Sequence, residues 1–208
     1  MSLELWIAFV IASSALLAVP GPTVMLVVSY ALGRGRSTGW ATVPGVALGD
    51  FTAMTASLLG AGAILAASAT LFTILKYVGA CYLIWLGIKL WRAEAKLDEL
   101  EDAADGRSRA GMFWHSFIVT ALNPKGIVFF IAFVPQFVDV TRPVLGQFML
   151  LEATFVILAA INVAIWAALA GNLRARFKRP ETLRLTNRIG GSFLIGAGLL
   201  TAAVRRNA

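Results

Sequence analysis

The chain has 208 residues, of which 59% are hydrophobic and 14% are charged, and its formal net charge is +7. A soluble domain carries about 25% charged residues, so this composition excludes an ordinary water-soluble domain and indicates that lipid surrounds much of the chain. The positive residues lie in short segments between apolar runs, which is typical of membrane-topology signals and not of a nucleic-acid-binding surface.

Six apolar stretches are long enough to cross about 30 Å of hydrocarbon, which needs roughly 20 residues. In chain order they lie near 3–32, 40–67, 70–91, 112–138, 144–171 and 186–204. They predict an all-α membrane protein with about six transmembrane helices in a single domain, 1–208. A charged segment at 93–109 joins halves of about 1–92 and 110–208. Because each half has three spans, the second half must be inverted relative to the first.

Lys and Arg residues indicate the orientation, because they are retained on the cytoplasmic side. Thirteen of the 18 fall in the first, third and fifth connecting segments, and four fall on the other side. This bias places the three loops in the cytoplasm and both termini outside. Residues 1–4 contain no Lys or Arg, so the first run is predicted to be a retained span and not a signal peptide. The last span is short and Gly-rich, and the C-terminus would lie inside if it did not cross.

Two spans contain helix breakers. Proline inside a helix removes a backbone donor, and in hydrocarbon the freed groups must be satisfied by protein or a cavity. The breaks are Pro20-Gly21-Pro22 in the first span and Asn123-Pro124-Lys125 in the fourth. Each lies about ten residues, or roughly 15 Å, from the cytoplasmic edge, near the middle of a core about 30 Å thick. Interrupted helices at matching places in inverted halves point to a transporter's central site.

The residues at each break favour a helix that starts again. Asn123 is a good N-cap, and Pro124 and Pro22 both fit a first helical turn. A helix start presents unpaired N–H groups and a positive dipole end, which attract a carboxylate. Lys125 adds a full positive charge. The six residues of the two breaks are therefore predicted to bind a small carboxylate-bearing substrate.

Asp50 lies about midway along the second span, and an ionisable residue at that depth is a functional candidate by default. It is predicted to bind the ammonium group of an α-amino acid and to carry a proton; the alternative is a structural hydrogen bond between helices. Glu152, nearer the outer side of the fifth span, is a second candidate for the substrate pathway. Asn162 is interpreted as an interhelical hydrogen-bonding residue.

The remaining candidates have simpler interpretations. His115, the only His, is predicted to be a satisfied polar residue and not a proton relay. Cys81, the only Cys, is predicted to be a small buried hydrophobe, and the sequence has no Cys/His cluster for a metal. No cofactor is expected. Gly45 and Gly49 lie four apart on one helix face, which permits close packing within one chain or in a homodimer.

These residues resemble those of the LysE/RhtB-type amino acid exporters over nearly the whole chain. The shared motifs are Pro20-Gly21-Pro22, the Gly-rich loop 33–39, the segments 44–50 and 76–89, and Ala121-Leu122-Asn123-Pro124-Lys125-Gly126 with Phe129-Phe130 and Pro135-Gln136-Phe137. The end of the chain from Asn187 is similar as well. The resemblance implies efflux of amino acids, basic or small and neutral, across the bacterial plasma (inner) membrane, commonly driven by the proton gradient.

Three alternatives to a proton-coupled amino acid exporter remain at the level of sequence. A transporter of the same architecture for another solute is one, although a single Cys and a single His disfavour soft metals. A passive channel is another, and a proton requirement for flux would separate it from an exporter. A membrane enzyme is disfavoured because no nucleophile–base pair or metal cluster stands out.

Overall fold

The computed structural model describes residues 1–92, 106–139, 142–177 and 180–203, and these residues form helices and no strand. The α-helices are α1 (Leu3–Ala18), α2 (Pro22–Arg34), α3 (Gly39–Ala67), α4 (Ala69–Arg92), α5 (Arg109–Ala121), α6 (Pro124–Val128), α7 (Val144–Phe177) and α8 (Pro180–Ala203). A π-helical turn, Phe129–Phe133, and a 3-10 turn, Val134–Phe137, continue α6. The predicted all-α class is confirmed.

Both predicted helix breaks are present. Helix α1 ends at Ala18, and α2 starts with Pro22 in its first turn after an extended Gly21, at an angle of 53° to α1. Helix α5 ends at Ala121, and α6 starts with Pro124 behind Asn123 as N-cap, with a bend of 41°. Proline stands in the first turn of each new helix, where its missing N–H leaves no intrahelical hydrogen bond unmade.

Three helices, α3, α4 and α7, are each long and apolar enough to cross a membrane. The bent pairs α1–α2 and α5–α6 also qualify when each is taken as one span, which gives up to five crossings among the described residues. Helix α8 is not among them, so a sixth crossing stays a prediction. Large apolar side chains such as Leu59, Ile157 and Leu199 are exposed on the outer helix faces, where lipid can cover them.

Helices α3 and α5 pack side by side in the same direction. Gly45 lies against the backbone of Phe113, and one turn later Gly49 lies against the backbone of Phe117. Residue numbers therefore increase in the same direction along both helices, so α3 and α5 are parallel. If α3 and the α5–α6 pair both cross, this parallel pairing is the one that the six-span topology requires.

Helices α4 and α8 pack against each other in opposite directions. Gly87 lies against Gly191, while Gly198, further along α8, lies against Ala80, earlier in α4. At the other end of the contact the indole N–H of Trp91 donates to the hydroxyl of Ser192 at 3.1 Å. Because α8 runs along α4 for several turns, it supports the proposed sixth crossing even though its composition is less apolar.

Two sequence interpretations concern residues near α4. Cys81 is exposed, so the prediction that it is a buried hydrophobe was wrong: its side chain lies on the outer face of α4, away from the face that packs on α8. The predicted charged segment 93–109 lies outside the described residues except for 106–109. Within that part, Arg34 at the end of α2 donates a hydrogen bond to the carbonyl of Arg107.

Candidate functional site

The two helix breaks meet around a small cavity. Its volume is about 40 Å³, which is enough for a few water molecules. The cavity is lined by the end of α1, the start of α2, the middle of α3, the break before α6, and one face of α7. Its polar lining residues are Thr23, Asp50, Asn123, Lys125 and Asn162.

Lys125 reaches from the second break into the first. Its Nζ donates hydrogen bonds to the carbonyls of Leu16, at 3.2 Å, and of Val19, at 3.1 Å. These carbonyls belong to the last turn and cap of α1, where the helix dipole is negative, and the Leu16 carbonyl also accepts the backbone N–H of Val19 at 3.3 Å. The ammonium group thus stabilises the broken end of the first span.

Gly21 makes room for this ammonium group. A Cβ at position 21 would lie 3.3 Å from the Nζ of Lys125. A side chain there would press on the charged group and on its contacts with α1. The glycine between the two prolines is therefore explained by the close approach of Lys125, in addition to its place at a helix start.

Asn162 of α7 satisfies a further carbonyl at the end of α1. Its Nδ2 donates to the Leu17 carbonyl at 3.0 Å. The expected interhelical hydrogen bond is therefore present, and it is made in the wall of the cavity. Together, Lys125 and Asn162 donate hydrogen bonds to three backbone carbonyls at the end of α1, those of Leu16, Leu17 and Val19.

A polar network joins the two breaks. The Oδ1 of Asn123 accepts a hydrogen bond from the backbone N–H of Lys125 at 3.1 Å, which is the N-cap bond of α6. Its Nδ2 donates to the hydroxyl of Thr23 at 3.3 Å, and the hydroxyl of Thr120 donates to the same oxygen at 3.2 Å. Since Thr23 stands in the first turn of α2, movement of either break would be transmitted to the other.

The start of α2 remains open to the cavity. Gly21 occupies the N-cap position and has no side chain to accept from the first-turn N–H groups. Pro22 has no N–H, so the backbone donors of Thr23 and Val24 carry the positive end of the α2 dipole. Both residues line the cavity, as an anion-binding helix start requires.

Asp50 faces the cavity from α3 and is 9% exposed. Within the described part of the chain it forms no ion pair shorter than 4 Å, because the ammonium group of Lys125 is directed at α1 instead. A buried carboxylate is costly without a cationic or hydrogen-bonding partner. Asp50 is therefore a buried carboxyl group in the cavity wall that has no ion pair in the described part of the chain.

The structure brings together some of the predicted site residues and not others. Gly21, Asp50, Asn123 and Lys125 line the cavity. Pro20, Pro22 and Pro124 build the breaks without lining it. Glu152 lies apart: it accepts a hydrogen bond from Thr55, which is five residues beyond Asp50 on α3.

Sequence reasoning missed the apolar wall that α7 contributes. Phe155, Ala159 and Val163 line the cavity on the same helix face as Asn162. With Asn162 included, the four residues follow one another at spacings of four, three and one from Phe155 to Val163, which places them on one side of a helix. This spacing around Asn162 could have predicted the apolar wall from the sequence. It was not recognised because α7 is apolar on all sides, so that no single face stands out.

His115 lies outside the cavity. Its Nδ1 is 2.7 Å from the hydroxyl of Tyr30, and the two rings meet edge to face. The pair joins α2 to α5. His115 therefore has the hydrogen-bond partner that a structural histidine needs.

Comparison with known proteins gives consistent matches. The model of the LysE type translocator family matches residues 14–203. A homoserine/homoserine lactone efflux protein of Salmonella typhi is 33% identical over 205 residues, covering 99% of each chain. A leucine efflux protein of Enterobacter sp. (strain 638) is 27% identical over 196 residues, covering 93% of this chain and 92% of the relative. An uncharacterized membrane protein of Vibrio cholerae is 32% identical over 99% of this chain. No solved structure matches.

Proposed function

The chain belongs to the LysE type translocator family, and we propose that it exports small neutral amino acids across the bacterial inner membrane in exchange for protons. Membership of a family of translocators supports a transporter and not an enzyme. Two relatives are named as efflux proteins, one for homoserine and its lactone and one for leucine. The observation that supports the proposal is a small cavity between two broken helices, with Asp50 and the start of α2 in its wall.

The two charged groups of an amino acid match the two ends of this cavity. The carboxylate is assigned to the open start of α2, where Thr23 and Val24 present backbone N–H groups and the dipole is positive. The ammonium group is assigned to Asp50, the one acidic residue in the described lining. A zwitterion bound in this way neutralises both ends at once, which a simple anion or cation does not do.

The remaining wall favours a neutral side chain. Phe155, Ala159 and Val163 of α7 are apolar, and so is Val46 of α3. The described lining has no second carboxylate to pair with the extra cation of lysine or arginine. The amide of Asn162 stands in the same wall and can bond the hydroxyl of a substrate such as homoserine. An aliphatic or hydroxylated side chain therefore fits better than a basic one.

The size of the cavity requires helix movement during transport. A volume of about 40 Å³ is far below the roughly 300–1,000 Å³ of typical ligand pockets. Binding must therefore enlarge the space between the two broken spans. The bends of 53° and 41° are natural places for such movement, because the backbone hydrogen-bond ladder is already interrupted there.

Asp50→Asn tests the assignment of the ammonium group. The variant keeps the shape of the side chain but removes the negative charge, so we expect at least tenfold weaker binding of leucine and homoserine, about 1.4 kcal/mol. Equilibrium binding of the radiolabelled amino acids to purified protein measures the change. Asp139→Asn is the matched control, since Asp139 pairs with Arg142 away from the cavity. Unchanged affinity in Asp50→Asn would rule out this role for Asp50.

A further inference from the structure

The wall of the cavity that α7 contributes differs from the walls that the breaks contribute. Helix α7 runs unbroken from Val144 to Phe177 and contains no proline, whereas α1, α2 and α6 line the cavity at interrupted spans. A span bends where its backbone hydrogen bonds are already interrupted. We therefore expect the cavity to enlarge at the breaks, so that the wall of α7 meets a bound substrate without rearranging.

Phe155 closes one end of this wall. It is 1% exposed, and its ring lies against the rings of Phe130 and Phe129, with centroids 4.8 and 6.0 Å away. Those two rings are fully buried as well. A ring packed in this way cannot turn aside without displacing its neighbours, because protein interiors are close-packed. Phe155 is therefore a fixed boundary of the cavity.

Ala159 forms a recess beside this ring. Residues 155, 159 and 163 are four apart, so they form one row along α7, and the alanine has the smallest side chain of the three. Ala167, one turn beyond this row, is small for another reason: its methyl group lies 3.4 Å from a Cβ built at Gly39, where α3 approaches α7. Ala159 lines the cavity, so its small size leaves room on the cavity side.

The recess lies where two apolar clusters meet. Phe155 and Ala159 belong to a cluster that includes Leu16 of α1, and Val163 belongs to a second cluster that includes Val24 of α2. All five residues line the cavity. An aliphatic side chain gains free energy when it leaves water for such a surface, whereas a charged one loses its hydration without finding a partner. The recess therefore suits an aliphatic group.

We propose, resting on the exporter function above, that Phe155 and Ala159 set the upper size limit of the exported amino acid. With the ammonium group at Asp50 and the carboxylate at the start of α2, α7 is the wall that receives the substrate side chain. A branched aliphatic side chain such as that of leucine enters the recess at Ala159. The ring of Phe155 excludes the aromatic side chains of phenylalanine, tyrosine and tryptophan.

Two substitutions are expected to move this limit in opposite directions. Ala159→Val fills the recess, so we expect counterflow of leucine to fall at least tenfold relative to counterflow of alanine. Phe155→Leu removes the ring at the boundary, so we expect counterflow of phenylalanine to rise at least tenfold relative to that of leucine. Each result is a ratio of two substrates in the same vesicles, so the amount of folded protein does not affect it.

The matched controls make the same substitutions at buried residues outside the described lining. Ala167→Val adds the same methyl groups to α7, and Phe133→Leu removes a ring from the π-helical turn. Both are expected to lower the unfolding temperature and to leave the substrate ratios within about twofold of wild type. Unchanged ratios in Ala159→Val and Phe155→Leu, or equal shifts in the controls, would contradict the assignment.

Competition on the wild-type protein decides the size limit even if a variant does not fold. Proteoliposomes exchange labelled leucine, and unlabelled leucine, homoserine, phenylalanine or tryptophan is added as competitor. We expect the two aromatic amino acids to compete at least tenfold less well than leucine and homoserine. Phenylalanine that competes as well as leucine would overturn the size limit and leave the exporter function standing. An absence of exchange with any amino acid would overturn the exporter function, and the size limit with it.

Discussion

Gly49 shows how a single hydrogen atom sets the distance between two helices. A Cβ at this position would lie 2.8 Å from both the carbonyl oxygen of Phe117 and the Cβ of Thr120. We expect Gly49→Ala to force α3 and α5 apart and to lower the free energy of unfolding by about 1–3 kcal/mol. Thermal unfolding of the purified protein measures the effect.

Gly60 provides the control on the same helix. Nothing lies within 4 Å of a Cβ built at Gly60, and alanine is the better helix former by about 0.8–1.0 kcal/mol. Gly60→Ala is therefore expected to leave the unfolding temperature unchanged or to raise it. Equal stability of the Gly49 and Gly60 variants would contradict the close packing of α3 on α5.

Single residues were predictable from the sequence where their chemistry is costly in a membrane. Asp50 and the two proline-containing breaks were found because a charge or a missing N–H at that depth needs a partner. The contacts of Lys125 were not predicted, since nothing in the sequence indicates which backbone carbonyls its side chain reaches. Cys81 was wrongly placed because an apolar helix in lipid exposes the same residue types that it buries.

At the scale of whole helices, some helix bounds followed the apolar runs closely, whereas α7 extends to Phe177, six residues beyond its predicted run, and α8 begins at Pro180, six residues before its predicted run. Helix α3 ends at Ala67, as the predicted second run does, and α4 reaches Arg92, one residue beyond the predicted end of its run. Which helices pack against each other was harder to predict from the sequence. The parallel contact of α3 with α5 and the antiparallel contact of α4 with α8 depend on side-chain fit between distant segments. Sequence showed the small residues but not their partners.

The crossing of α8 is the main untested feature of the topology. In a Cys81→Ser background, Ser2→Cys, Ser37→Cys and Asn207→Cys place single thiols at the N-terminus, the first loop and the C-terminus. We expect a membrane-impermeant maleimide to label the first and last in intact cells, and Ser37→Cys only after permeabilisation. Labelling of Asn207→Cys only after permeabilisation would mean that α8 does not cross.

At the scale of the whole molecule, each half supplies one broken span to a shared cavity. Hydrogen bonds cross between the halves at Lys125 and α1, and at Asn123 and Thr23. The first half supplies the open start of α2 and the carboxylate of Asp50, and the second supplies Lys125 and the wall of α7. Movement of the halves relative to each other would therefore open or close the cavity, as the proposed exporter requires.

Counterflow in proteoliposomes tests the central claim most directly. Vesicles loaded with an unlabelled amino acid are given a trace of the same labelled compound, with leucine, homoserine, lysine and arginine tested in turn. We predict saturable exchange of leucine and homoserine, little exchange of lysine and arginine, and loss of exchange in Asp50→Asn. An absence of exchange with every amino acid, in correctly inserted wild-type protein, would contradict the account.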